Sequence, residues 1–206
     1  MAKSSKRWCQ RQASDFYVKS AKRDGYLSRA AYKLLEIHEK HAIFHKNDFV
    51  IDLGAAPGSW SQVASAIVGE HRVIALDRLE TKLPPGIQVI QGDFTEQAVL
   101  DELLSLLGGR QATVVLSDMA PNLSGQWVVD IPKSLHLVDL AFDLCHQVLV
   151  DGGTLLCKVF QGAGLDAWVA ELRKSFKRVR IIKPKSSRSV SRESYVLATG
   201  YNGYNI

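Results

Sequence analysis

The segment Val50-Ile51-Asp52-Leu53-Gly54-Ala55-Ala56-Pro57-Gly58-Ser59-Trp60 constrains this chain more than any other. The apolar run from Phe49 to Leu53 reads as a buried strand, followed by a small-residue turn and then by a helix over Trp60 to Val68. Reversing from strand to helix demands backbone angles that a Cβ resists, and a ligand lies closely only against bare backbone; Gly54 and Gly58 suit both needs. Asp52 at the strand's carboxyl end and the free N–H groups of the next helix set an acceptor beside a group of donors. In open α/β sheets that edge is where ligands bind. The glycines alone would serve any tight βα turn equally well. The spacing is neither the G-x-G-x-x-G of a dinucleotide site nor the G-K-[ST] of a phosphate loop.

Further strands repeat the arrangement. Arg72 to Asp77 is a short apolar strand ending in an acid, 25 residues after Asp52, near where a nucleotide fold places its ribose-binding carboxylate. Ile87 to Gln91 is followed by Gly92-Asp93-Phe94, which by itself is a common turn or helix cap. Thr95 to Leu107 is helical in period and stops at Gly108-Gly109. Ala112 to Ser117 is a β-branched strand that ends in Asp118. Packing does not require four strands to end in Asp or Gly-Asp, so the row of carboxylates along one edge of a parallel sheet argues for a site. A long helix from about Pro132 to Val150, a Gly152-Gly153 turn, a strand Thr154 to Phe160, a helix Leu165 to Ser175 and strands Arg178–Ile182 and Ser194–Thr199 complete the chain. The reading is an α/β, Rossmann-like doubly wound fold: seven mostly parallel strands, helices on both faces, the last strand antiparallel.

A length of 206 residues suits one domain, assigned here to 26–206. No apolar run is long enough to cross a bilayer, the N-terminus is not a secretory signal, and the chain is expected in the cytoplasm, as a monomer. Cys9, Cys145 and Cys157 lack metal-ligand spacing, and no metal site is expected. The net charge of +5 is uneven: residues 1–25 hold seven Lys or Arg against Asp15 and Asp24, leaving 19 of each sign in the remainder. These first 25 residues show neither a helical nor an alternating period and read as a mobile basic arm that orders on a polyanion. A second basic run, from Arg173 to Arg192, contains no acid. Such runs are commonly just solvated faces, but Trp8, Phe16, Tyr17, Tyr26 and Phe176 are interleaved with them, and phosphate attraction with base stacking is what RNA binding needs.

Two lysines stand apart. Lys33 lies in a helix starting at Ser28, its N-cap, whose stripe is Ala30, Ala31, Leu34, Leu35 and Ile37; a lone lysine there ordinarily snorkels to water. Lys158 ends an otherwise apolar strand at the acid-lined edge, so it is either paired or neutral, because an isolated buried ammonium costs too much.

The motif D-L-G-A-A-P-G-S-W around Asp52 resembles motif I of the S-adenosylmethionine-dependent methyltransferases and, more narrowly, the FtsJ-type RNA 2′-O-methyltransferases. Lys33 in S-R-A-A-Y-K-L, Asp118 in S-D-M-A-P-N, Lys158 in C-K-V-F and Glu193 in S-R-E-S-Y resemble that family's K-D-K-E tetrad, in order and with matching flanks, across roughly residues 26 to 200. The resemblance implies S-adenosylmethionine as cofactor, held by Asp52, Gly54, Gly58, Trp60, Asp77, Asp93 and Asp118. Trp60 has an alternative as a core side chain. Lys158 is implied as the base that takes the proton of a ribose 2′-hydroxyl, with Lys33, Asp118 and Glu193 as its catalytic partners. The short chain looks like the enzymes that methylate a uridine of large-subunit (23S) rRNA, with the rRNA or the assembled large subunit as partner. The alternatives are a tRNA or capped-RNA 2′-O-methyltransferase and a non-catalytic RNA-binding assembly factor. A nicotinamide-dependent oxidoreductase is disfavoured by the missing dinucleotide motif.

Overall fold

A computed structural model describes residues 16–188 and 191–203. Seven strands form one sheet: β1 (Val50–Leu53), β2 (Val73–Asp77), β3 (Ile87–Gln91), β4 (Ala112–Ser117), β5 (Leu149–Phe160), β6 (Phe176–Ile182) and β7 (Glu193–Tyr201). Their order is β3-β2-β1-β4-β5-β7-β6. The first five run parallel, while β7 lies antiparallel between β5 and β6. The helices are α1 (Phe16–Asp24), α2 (Ala31–His41), α3 (Ser59–Val68), α4 (Gln97–Leu107), α5 (Trp127–Val148) and α6 (Leu165–Ser175).

Strand side chains alternate between faces, and here each face has its own core. Ile51, Ile74, Val115, Leu155 and Val196 pack under α4, α5 and α6. Val50, Val73, Val114, Leu156 and Leu197 pack under α2 and α3. That parity decides the location of the polar residues. Asp52, Lys158 and Tyr195 are in step with the second set and therefore emerge on the side of α2 and α3.

Several expectations need correction. Residues 16–24 of the arm form a helix; residues 1–15 lie outside the described region. The α1 segment carries no period because docking stabilises it: Ser20 and Ala21 are buried, Tyr17 packs 5.4 Å from Tyr32, and Arg29 sits 5.5 Å over the Tyr17 ring. Ser28 is not the cap of α2, which begins after Ala30; the Ser28 hydroxyl accepts the Ala30 N–H and pairs with Ser59 Oγ at 2.6 Å. The α5 helix starts at Trp127 rather than Pro132. Proline only withholds a donor from the carbonyl of Val128, and Val128 is 89 % exposed. The Gly152-Gly153 turn lies inside β5 as a jump in register, with Ala112 opposite Leu149 and Val114 opposite Thr154. Cys145 and Cys157 are buried free thiols that pack as small hydrophobes; Cys9 lies outside the described residues. No described helix is long and apolar enough to cross a membrane.

Candidate active site

Three strands and one helix bring the four charged residues together. Lys158 stands opposite Tyr195 in the β5–β7 ladder, and Phe160 opposite Glu193. Ser117 is opposite Cys157, so Asp118, one residue past β4, comes beside Lys158. The α2 helix crosses the same face and supplies Lys33.

The result is a continuous polar chain. Lys158 Nζ lies 3.2 Å from Asp118 Oδ1 and also donates to the Asp118 carbonyl. The Tyr195 hydroxyl lies 3.0 Å from Asp118 Oδ1 and 3.3 Å from Glu193 Oε1, and has one proton to donate between them. Lys33 Nζ donates to the Tyr195 hydroxyl at 3.2 Å and pairs with Glu193 at 2.6 Å. Ser187 Oγ donates to Glu193 Oε1 at 3.1 Å. Each charge is thus paired and hydrogen-bonded, as burial requires: the side chains of the two pairs are only 10–20 % exposed.

Burial alone would push the Glu193 carboxyl up; the Lys33 ammonium, its hydrogen bond, Lys158 and Ser187 outweigh that and hold it below the usual range. Burial, then the charges of Asp118 and Glu193, push the Tyr195 phenol well up, so it stays a proton donor. Lys33 does not snorkel to water, and Lys158 is paired rather than isolated. Tyr195 escapes a search for ionised residues, although Glu193 and Tyr195 are two apart on one strand and must share a face.

The acid-lined edge is less uniform than its sequence suggests. Asp52 is fully buried and accepts the Ser61 hydroxyl at 2.6 Å, while its Oδ1 has no partner. Burial, opposed by Ser61 and reinforced by Asp118 and Asp77, pushes its carboxyl up to about 7. It braces β1 against α3 instead of facing the edge. Asp77 is half-buried and accepts the Ala56 N–H at 2.9 Å and the Leu79 N–H at 2.8 Å. Asp93 accepts the N–H and hydroxyl of Thr95, at 3.0 and 2.7 Å, and pairs with Arg78 at 3.4 Å. The turn reading of Gly-Asp is therefore correct as geometry. Trp60 is 2 % exposed, donates its indole N–H to the Ala30 carbonyl and stacks 5.5 Å from Tyr195. Its ring has almost no free surface, so it supports the tyrosine from the core side.

Both glycines are needed. A Cβ at Gly54, where φ is +70°, would lie 2.6 Å from Met119 Cγ and 3.0 Å from the Met119 Cα and N. At Gly58, which caps α3 with φ +111°, it would lie 2.0 Å from Leu83 Cδ2. The Gly54 turn is thus pressed against the residue that follows Asp118, which joins the acid edge to the lysine chain. Among the described residues no cluster of His, Cys, Asp or Glu is arranged to hold a metal ion.

Residues 26–201 match the model of the FtsJ-like methyltransferase family. The chain is 50 % identical to the ribosomal RNA large subunit methyltransferase E of Pseudomonas fluorescens over 98 % of its length and 97 % of that protein. It is 52 % identical to the protein of the same name from Alkalilimnicola ehrlichii, over 96 % of this chain and 95 % of that one. The crystal structure of a candidate ribosomal RNA methyltransferase from Plasmodium falciparum is similar with a TM-score of 0.78 at 29 % identity, covering 86 % of this chain and all of that one.

Proposed function

Because the chain belongs to the FtsJ-like methyltransferase family, we propose that it transfers a methyl group from S-adenosylmethionine to the 2′-hydroxyl of a uridine ribose in large-subunit rRNA, on the assembled subunit. The observation that carries the reading is the unbroken chain Lys158–Asp118–Tyr195–Glu193–Lys33 abutting the Gly54–Gly58 turn. The names of relatives about half identical over nearly their whole length support the substrate.

The residues at the edge fit the cofactor. No lysine or arginine lies between Asp52 and Ser59, Asp77 and Asp93 keep partly exposed carboxylates, and the α3 N-terminus has no side-chain cap. A zwitterionic amino-acid end without phosphate suits that set, its ammonium beside the carboxylates and its own carboxylate at the helix N–H groups. When bound, S-adenosylmethionine supplies a methyl group activated by a sulfonium.

The ribose hydroxyl is a weak nucleophile that must lose its proton as it attacks. Lys158 would accept that proton as the ribose oxygen takes the methyl group, which S-adenosylmethionine would supply with its sulfur as the leaving group. The resulting ammonium finds Asp118 Oδ1 and the Asp118 carbonyl already in place, so no reorganisation is needed where charge develops. Tyr195 fixes the Asp118 carboxylate, and Lys33 with Glu193 holds the tyrosine hydroxyl from the other side. Alignment of oxygen, carbon and sulfur is the main demand of such a displacement, and a rigid, fully paired chain meets it.

The test is to incubate the protein with labelled S-adenosylmethionine and large ribosomal subunits, then hydrolyse the RNA with alkali. Label in an alkali-resistant dinucleotide shows methylation of the ribose, since a blocked 2′-oxygen cannot cleave its neighbouring phosphodiester. Label released as a mononucleotide would place the methyl on a base and overturn the reading. Label on tRNA alone would keep the chemistry and overturn the substrate.

A further inference from the structure

The outer edge of the sheet carries a second basic site that the lysine chain does not use. His41 at the end of α2, Arg178 and Arg180 of β6, and Leu197 and Thr199 of β7 line a cavity of about 90 Å³. No acid lines it. Among the described residues, the side chains of Arg178 and Arg180 form no ion pair or hydrogen bond; only their backbones are engaged, in the β6–β7 ladder. The His41 imidazole is held below its ordinary value by burial first, and then by the charges of Arg180 and Lys40. On α2, the Glu36 carboxylate is engaged elsewhere: it accepts the Lys185 and Ser186 N–H groups at 2.9 and 3.1 Å and pairs with Lys40 at 3.1 Å. Two guanidinium groups converge on a cavity that no carboxylate lines.

Charged side chains on an edge strand commonly serve only to prevent sheet-to-sheet aggregation. That role needs charge along β6 but not the convergence of an imidazole from α2 and a hydroxyl from Thr199 on the same cavity. Convergent cations with a hydroxyl donor are the chemistry of a phosphate site. Its place in the fold points to the same ligand as the lysine chain. Lys33, Ile37 and His41 recur at four-residue spacing on α2, so His41 lies about 12 Å along the helix from Lys33.

We propose that His41, Arg178 and Arg180 form a phosphodiester-binding site that grips the backbone of the RNA substrate away from the reacting ribose. This rests on the reading of the chain as an RNA methyltransferase. The site anchors the RNA and takes no part in the transfer of methyl.

The test is Arg178→Gln with Arg180→Gln in the full chain, compared with Arg173→Gln with Lys177→Gln. The second pair removes the same charge from the opposite side, since Lys177 alternates with Arg178 on β6 and Arg173 lies on α6. Binding to large ribosomal subunits is measured over a salt series, and methyl transfer over a range of subunit concentrations. The first variant should flatten the salt dependence by about one to two charges and raise KM for RNA severalfold with kcat unchanged. The comparison variant should stay near wild type. An unchanged slope and KM, or an equal shift in both variants, overturns the site. Wild type that binds RNA with the Arg178/Arg180-dependent slope but transfers no methyl would leave the site standing and overturn the methyltransferase reading.

Discussion

Replacing Asp52 by Asn tests the electrostatics of the fold at its most constrained point. The carboxyl is fully buried, its Oδ1 has no partner, and its value rises from 3.8 to about 7. Below pH 4 both folded and unfolded forms are protonated and the shift has no effect. Between pH 4 and 7 the folded form holds a proton that the unfolded form has released, so stability falls as pH rises; above 7 the full penalty remains. Three units correspond to about 4 kcal/mol in total, of which about 2–3 kcal/mol is lost between pH 5 and pH 8. Asparagine keeps the acceptor for Ser61 and cannot ionise. The variant should therefore match wild type at acid pH and be the more stable protein at pH 8. Urea unfolding at both pH values reads this directly: the gap between the two midpoints should widen by about 1–2 M, given ordinary urea sensitivities. The histidines titrate in both proteins and cancel in the comparison. A gap that does not change with pH would refute the reasoning, because Asp52 would then be ionised, and stabilised by something, in the folded protein.

Three further outcomes follow from the site. Tyr195→Phe should lower kcat about 10- to 100-fold, the worth of a hydrogen bond to charged groups, with KM for RNA unchanged; a variant of wild-type kcat would reduce the tyrosine to packing. Gly54→Ala should lose more activity than Gly58→Ala in the same transfer assay. The added methyl at Gly54 meets Met119 backbone and displaces Asp118, whereas at Gly58 it meets the movable tip of Leu83. Both should lower stability by about 1–3 kcal/mol, seen as a fall in melting temperature, because both positions have positive φ.

The regular elements were legible because hydrophobic period and turn residues agree. Ile87–Gln91, Ala112–Ser117 and Leu165–Ser175 stand where the pattern puts them. The four tetrad residues were legible only through their flanks, since they are separated by up to 160 positions and nothing local says that they meet. Misreadings arose where tertiary contact overrides local pattern. The α1 helix exists because Tyr17 finds Tyr32 and Arg29. Asp52 looks like an edge acceptor by position, but strand parity turns it towards Ser61. Tyr195 was hidden by being neutral.

The most direct test of the central claim is a single-turnover measurement of methyl transfer by Lys158→Ala, beside its affinity for S-adenosylmethionine. Lys158 is assigned the proton transfer and no contact with the cofactor. The rate should fall by about 10²–10⁴-fold or more, with cofactor affinity within a factor of a few of wild type. A variant that transfers at the wild-type rate, or that loses activity only in proportion to lost cofactor binding, would contradict the assignment.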